Sequence, residues 1–265
     1  MPSPDLVEAL DLLTHGELTI EGRLVDASNL TLRCRVRWEG QEARCVYKPV
    51  EGERPLWDFP DHTLARREVA AYLVSEATGW ALVPPTVLRD GPLGVGSCQL
   101  WIDPADREPL VGFIPDDQLP ADWHPIATAT DPTGQRYTLA HADDARLARM
   151  AVFDAVVNNA DRKGGHLLEA ADASLYGVDN GLCFHPEPKL RTVLWGWADQ
   201  PLPEEAEPVL AQLGAAVAGD LGWRLATYLS EAEVAALADR IETLRRRGRF
   251  PLPHPEWPAV PWPPM

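Results

Sequence analysis

Four charged side chains follow one another in an order that could serve a single reaction. Lys48 ends the strand-like run VYKP, Glu68 lies inside the next helical run, Asp161 sits in the polar stretch NNADRKGGH, and Asp179 opens a DNG turn. Phosphoryl transfer asks a protein mainly for positioning and charge neutralisation: a lysine on the phosphates, an acid to hold it, a carboxylate beside the nucleophile, and ligands for a divalent cation. Each residue also has a plainer reading by itself. A lysine at a strand end is usually solvated, and Glu68 could pair with Arg67 or another arginine on a helix surface. Asp161 suits a helix C-terminal turn, where Asn and Asp bond local backbone. Asp179, Asn180 and Gly181 would make a good type I′ turn between strands at 174–178 and 182–184.

Two features favour the shared reading. Glu68 stands beside an apolar helical stripe with Leu64 and Tyr72, where a carboxylate needs a cation. Directly after Asp161, the residues Lys163, Gly164, Gly165 and His166 add a cation, a close-approach backbone and an imidazole ligand. Asp154, on the apolar face of the helical run before this stretch, reads as a structural acid that holds the turn through backbone amides. His62, His141, His185 and His254 have no partner spacing and are assigned surface or cap roles. The tryptophans read as core rather than as a ligand platform.

The elements that must position these groups are legible as changes of period. Residues 4–14 repeat at helical spacing, and then LTIEGRLVD, LTLRCRVRWEG and QEARCVYKP read as a meander of three strands. Leu30, Leu32, Cys34, Val36 and Trp38 form one face, and Glu39-Gly40 the turn. After a Pro-containing loop at 50–61, a helix is expected from Thr63, as N-cap, to Thr78, with Gly79 as its stop. Further strands are expected at 82–88 and 97–102. Residues 103–142 read as a loop insert with at most short elements. A helix at 143–159, short strands near Leu167 and at 174–178, and helices at 204–214, 217–227 and 231–247 follow. The stretch PLPHPEWPAVPWPPM is too rich in proline for helix or sheet and reads as an extended strap whose two tryptophans pack along the body.

Of 265 residues, 40 are acidic and 24 basic, a net charge of -16, and the apolar fraction is 45%. That balance fits one large domain or two lobes around a cleft. It argues against a nucleic-acid partner or an anionic membrane surface, both of which need dense Lys and Arg. No apolar stretch approaches the roughly 20 residues of a membrane helix, and the first residues lack the pattern of a signal peptide. A cytoplasmic location without integral membrane association is expected. Cys34, Cys45, Cys98 and Cys183 form no CxxC pair and should be reduced and buried, with a Cys34–Cys45 disulfide as the minority alternative.

NNADRKGGHLL followed by YGVDNGLCFH resembles the phosphatidylinositol 3/4-kinase-like superfamily, which includes type II phosphatidylinositol 4-kinases and HipA-type bacterial kinases. YKPVEGERPLWDFP, REVAAYLVSEATGW, LVPPTVLRDGPLG and QLWID look like an actinobacterial family assigned to that superfamily, over most of residues 15–250. The resemblance implies an α+β, two-lobed, atypical protein-kinase-like fold. Its N-lobe at 1–100 would be an antiparallel sheet with one helix, its C-lobe at 101–250 mainly helical, and residues 251–265 a Pro-rich tail. It further implies that Lys48 contacts the phosphates of ATP and that Glu68 positions it. Asp161 would act on the acceptor hydroxyl with Lys163 beside it, and Asp179 would bind Mg2+ or Mn2+. Leu100, Trp101 and Ile102 would hold adenine through their backbone, and the loop from Asp26 to Asn29, with Ser28 and Asn29, would cover the phosphates.

Two departures stand out. His166 occupies the place where the superfamily usually has an Asn metal ligand, which favours Mn2+ over Mg2+. VDASN replaces a Gly-rich phosphate loop, so phosphate contacts would come from the Ser28 hydroxyl and backbone amides. The implied activity is ATP-dependent phosphoryl transfer to a hydroxyl, with protein Ser/Thr, including the protein's own, as acceptor. The alternatives are a phosphoinositide or small-molecule kinase, and a nucleotide-binding pseudokinase.

Overall fold

The computed structural model describes residues 6–24 and 28–265. Helix α1 (Leu6–His15) lays Ala9, Leu12 and Leu13 against an antiparallel sheet. That sheet is built from β1 (Glu17–Arg23), β2 (Leu32–Trp38), β3 (Gln41–Pro49), β4 (Thr86–Gly91) and β5 (Gly94–Leu100), in the order β1-β2-β3-β5-β4. The alternation in β2 sorts its faces as expected: Leu32, Cys34 and Val36 are buried and Arg33 and Arg37 exposed. Trp38, at the strand end, is exposed. Glu39 and Gly40 both take positive φ, as a type I′ turn requires. Cys34 lies opposite Cys45 in the ladder, yet all four cysteines are free and buried.

Helix α2 (Leu64–Thr78) crosses between β3 and β4 and is buried along most of its length. Its N-terminus corrects the expected Thr63 cap. The Glu53 carboxylate accepts from the Leu64 and Ala65 amides at 3.1 and 2.8 Å, while the Thr63 hydroxyl donates to the Pro60 carbonyl. An acid from the preceding loop thus neutralises two of the free N–H groups of the first turn. Gly79 ends the helix in the left-handed region, as expected.

Residues 103–142 are a second correction. They hold a three-stranded antiparallel sheet of β6 (Val111–Pro115), β7 (Trp123–Thr130) and β8 (Arg136–Ala142), in the order β6-β8-β7. The edge strand β7, WHPIATAT, is mostly exposed, made largely of small residues, and broken in register between Pro125 and Ala127, so no apolar alternation marks it. The remainder of the chain is therefore less purely helical than expected. Helix α3 (Ala145–Val157) is capped by the Asp144 side chain and followed by the pair β9 (Leu167–Glu169) and β10 (Leu175–Gly177). Helices α4 (Ala206–Val217), α5 (Asp220–Leu225) and α6 (Glu231–Arg247) complete it. The main apolar core joins α2, α3, α4 and α6 through residues such as Val74, Phe153, Leu213 and Ile241.

His141 is fully buried against Trp197, rather than on the surface as expected. Among the tryptophans, Trp197 is core, but Trp57, Trp223 and Trp262 are largely exposed. The tail is neither helix nor sheet, and it turns near Pro255 and Glu256 instead of running straight. Trp257 packs edge-on against Trp57, whereas Trp262 does not pack.

Candidate functional site

Lys48 is the penultimate residue of β3, a central strand, and its side chain crosses to α2. Its Nζ lies 2.5 Å from Glu68 Oε1 and 2.7 Å from Asp179 Oδ1. Glu68 is 3% exposed, and its second oxygen accepts from the Asn180 amide at 2.9 Å. Arg67, the surface partner considered for Glu68, points elsewhere: it donates to the Cys183 carbonyl and pairs with Glu233. Burial alone would lower the Lys48 pKa, but Asp179 and Glu68 more than offset it and hold the ammonium charged. The Lys48 charge in turn keeps Asp179 far below the ordinary carboxylate range. The DNG segment is no hairpin turn, since β10 pairs with β9 and residues 182–184 form no strand.

The Asp161 turn is built from the end of α3. Asn158 terminates the helix in the left-handed conformation and donates to the His185 and Glu187 carbonyls. The Asn159 side chain bonds both Asp154 and the Asp161 amide. Asp154 holds this turn through side chains, chiefly Arg162 with Asn159 beside it, and not through backbone amides as expected. The Asp154 and Arg162 side chains are both 0% exposed and meet at 2.9 Å. The Arg162 guanidinium also donates to the Val178 carbonyl and to Asn180 Oδ1, each at 2.8 Å. One buried cation thus fixes the Asp161 turn to the Asp179 turn. Sequence reasoning passed over Arg162, although a buried Asp154 on an apolar helix face demands such a partner.

Asp161 faces Lys163, whose Nζ lies 3.2 Å from Oδ2. Burial raises the Asp161 pKa, with Lys163 opposing. His166 Nε2 lies 3.4 Å from Asp179 Oδ2, and burial pushes the imidazole down to about 4, so it is neutral at pH 7.

Two cavities meet at Lys48, Asp179 and Thr31. One, of about 340 Å³, runs between Leu24, Val46, Leu100 and Ile102 on one side and Leu168 and Val178 on the other. The second, of about 180 Å³, holds Asp161 and is walled by Ser28, Asn29, Leu64 and Leu182. Asn29 is committed: its side chain accepts from the Arg54 amide at 2.8 Å, tying the two loops together. Asp26 lies outside the described residues. In the segment expected to hold adenine, the Leu100 and Trp101 amides donate to the Pro85 and Arg44 carbonyls. Ile102 is the member of that trio whose amide can serve a ligand.

Among the described residues, no three His, Cys, Asp or Glu side chains are grouped to hold a metal. Asp179, at the cavity junction, and His166, in the larger of the two cavities, nevertheless place one oxygen and one uncharged nitrogen together, a donor pair of the kind a divalent cation takes.

The chain is 49% identical over 261 residues to Protein Rv2133c of Mycobacterium tuberculosis, covering 95% of this chain and 94% of that one, and it belongs to that protein's family. No protein-family model matches the chain. Among solved structures, it aligns with a crystal structure of a Helicobacter pylori proinflammatory kinase, CtkA. That alignment has a TM-score of 0.45 and 11% identity, over 90% of this chain and 94% of that one. No helix among the described residues is long and apolar enough to cross a membrane.

Proposed function

We propose that the chain is an ATP-dependent phosphotransferase of the phosphatidylinositol 3/4-kinase-like kind. In this reading residues 1–100 form its N-lobe, 101–250 its C-lobe and 251–265 its tail. The observation that carries the reading is the meeting of the two cavities at a lysine held by one buried carboxylate and facing a second, with Asp161 in the adjoining space. Adenine occupies the larger cavity, between Leu24, Val46 and Ile102, and Lys48 neutralises the phosphates. Glu68 keeps that ammonium in place.

Asp179 and His166 would hold Mg2+ or Mn2+, and the cation supplies charge neutralisation on the phosphates when bound. The acceptor hydroxyl enters the smaller cavity and gives its proton to the Asp161 carboxylate as its oxygen attacks the γ-phosphorus. The bond to the β-γ bridging oxygen breaks, leaving ADP and a phosphoester. A carboxyl raised by burial is the stronger base for this step. Lys163, next to Asp161, orients that carboxylate and offsets charge on the moving phosphoryl group. Ser28, which lines the smaller cavity, would meet the phosphates through its hydroxyl.

Protein Ser/Thr is the proposed acceptor, because the net charge of -16 opposes approach to an anionic bilayer. A second reading, nucleotide binding without transfer, is favoured by one observation: Lys48 engages Asp179 directly, at the place a cation must take. Calorimetric titration with ATP in Mg2+ and in Mn2+ tests the shared part of both readings. Metal-dependent binding that is lost in Lys48→Met and Asp179→Asn supports the site. Binding unaffected by either change would remove it.

A further inference from the structure

The Pro-rich tail does not lie on a neutral part of the surface. Its path follows the loops that carry the Asp161 turn. At its start, Trp257 stacks against Lys189, whose Nζ is 4.4 Å from the Trp257 ring centre and 4.7 Å from that of Trp57, and which also pairs with Asp58 at 2.8 Å. Two residues on, the Ala259 carbonyl accepts from the Thr192 amide at 3.1 Å and from the Trp195 indole N–H at 2.7 Å. Pro261 and Pro264 are buried. The Pro264 carbonyl then accepts from the Gly164 amide at 2.8 Å, and the Met265 side chain fills the space a Cβ at Gly164 would need.

The chemistry of this contact is one-sided. The body presents three N–H donors, from Thr192, Trp195 and Gly164, and the tail answers with carbonyls. Four of the nine residues 257–265 are proline, with no N–H of their own to leave unpaired. The groove therefore fits a proline-rich peptide with an aromatic anchor, and its occupant is the chain's own tail. The donor Gly164 lies between Lys163 and His166, and Thr192 forms a bridge with Arg162. The tail thus lies beside the loop from which an acceptor would be addressed.

We propose that residues 257–265 are a ligand in cis of a peptide groove beside the catalytic loop, and that they strap shut the side from which an acceptor polypeptide enters. This rests on the phosphotransferase reading for its consequence, but not for the groove itself. Displacing the strap frees the Gly164 and Thr192 amides together and opens the acceptor side.

The test uses the full chain carrying Trp257→Ala, and separately Trp57→Ala from the other side of the clamp. Both change partly or largely exposed rings, so folding is retained. Hydrogen exchange at the Gly164 and Thr192 amides should rise at least tenfold in Trp257→Ala, while exchange in the middle of α6 stays unchanged. ATP turnover should rise severalfold, and a synthetic peptide of residues 251–265 should reverse both effects. Unchanged exchange at those amides, or exchange only by global unfolding, would overturn the groove. Opening with turnover that falls in step would overturn the strap and make the tail a brace. Opening reversed by peptide, with no turnover in any form, upholds the groove and overturns the phosphotransferase reading.

Discussion

At the scale of single residues, geometry turns four separately ambiguous side chains into one site. Lys48, Glu68 and Asp179 touch, and Asp161 lies in the adjoining cavity. The order of these residues was legible in the sequence because each answers one demand of phosphoryl transfer, while the plainer readings account for them only one at a time. What was not legible is how backbone is spent. The Leu100 and Trp101 amides pair with carbonyls from Pro85 and Arg44, residues distant in sequence. Asn29 likewise secures a neighbouring loop. Asp161→Asn should lower transfer by about 10²- to 10⁴-fold while leaving nucleotide affinity intact, the signature of a lost general base; a single-turnover assay separates the two. His166→Asn should raise the Mg2+-supported rate relative to the Mn2+-supported one, because it replaces an imidazole nitrogen with an oxygen donor. Equal metal preference in both proteins would remove His166 from the cation site.

At the scale of elements, the positioning work falls on contacts between segments far apart in the chain. Helix α2 owes its capped start to Glu53, a residue of the preceding loop, and the expected local cap at Thr63 is not used. Glu53→Ala should cost about 1 kcal/mol, as the loss of an N-cap does, read as a lower urea midpoint. The Asp154–Arg162 pair is more consequential. Arg162→Met leaves a fully buried carboxylate unpaired and should destabilise the fold by about 3–5 kcal/mol. Adding Asp154→Leu removes both charges and should recover most of that stability but not transfer, since the tie between the Asp161 and Asp179 turns is still missing. Recovery of both would show that the pair serves folding alone. Strands and helices with apolar alternation were legible at this scale. The sheet of β6, β7 and β8 was not, because its edge strand is small, polar and interrupted by Pro125.

At the scale of the whole molecule, the apolar body buries not only charged pairs but also an uncharged titratable ring, His141. Its Nδ1 bonds the Ala142 carbonyl at 2.9 Å and its Nε2 accepts from the Gly196 amide at 3.1 Å, with His124, Asp143 and Trp197 around it. Burial pushes its pKa down to about 4 from an ordinary 6.5. Between those values the unfolded chain takes up a proton that the folded one refuses. Stability is therefore fully present above about pH 6.5 and falls as pH drops towards 4, by at most about 1.4 kcal/mol per pH unit from this group. Urea midpoints across that range should fall less steeply in His141→Gln than in the wild type, and parallel slopes would assign the loss to other groups. The most direct test of the central claim is incubation with γ-labelled ATP in Mg2+ and in Mn2+, beside Asp161→Asn and Asp179→Asn, with mass spectrometry locating the transferred phosphate. Phosphate on a protein hydroxyl in the wild type, absent from both variants, is the predicted result. Transfer that survives either substitution, or no transfer to any acceptor despite metal-dependent ATP binding, would contradict it.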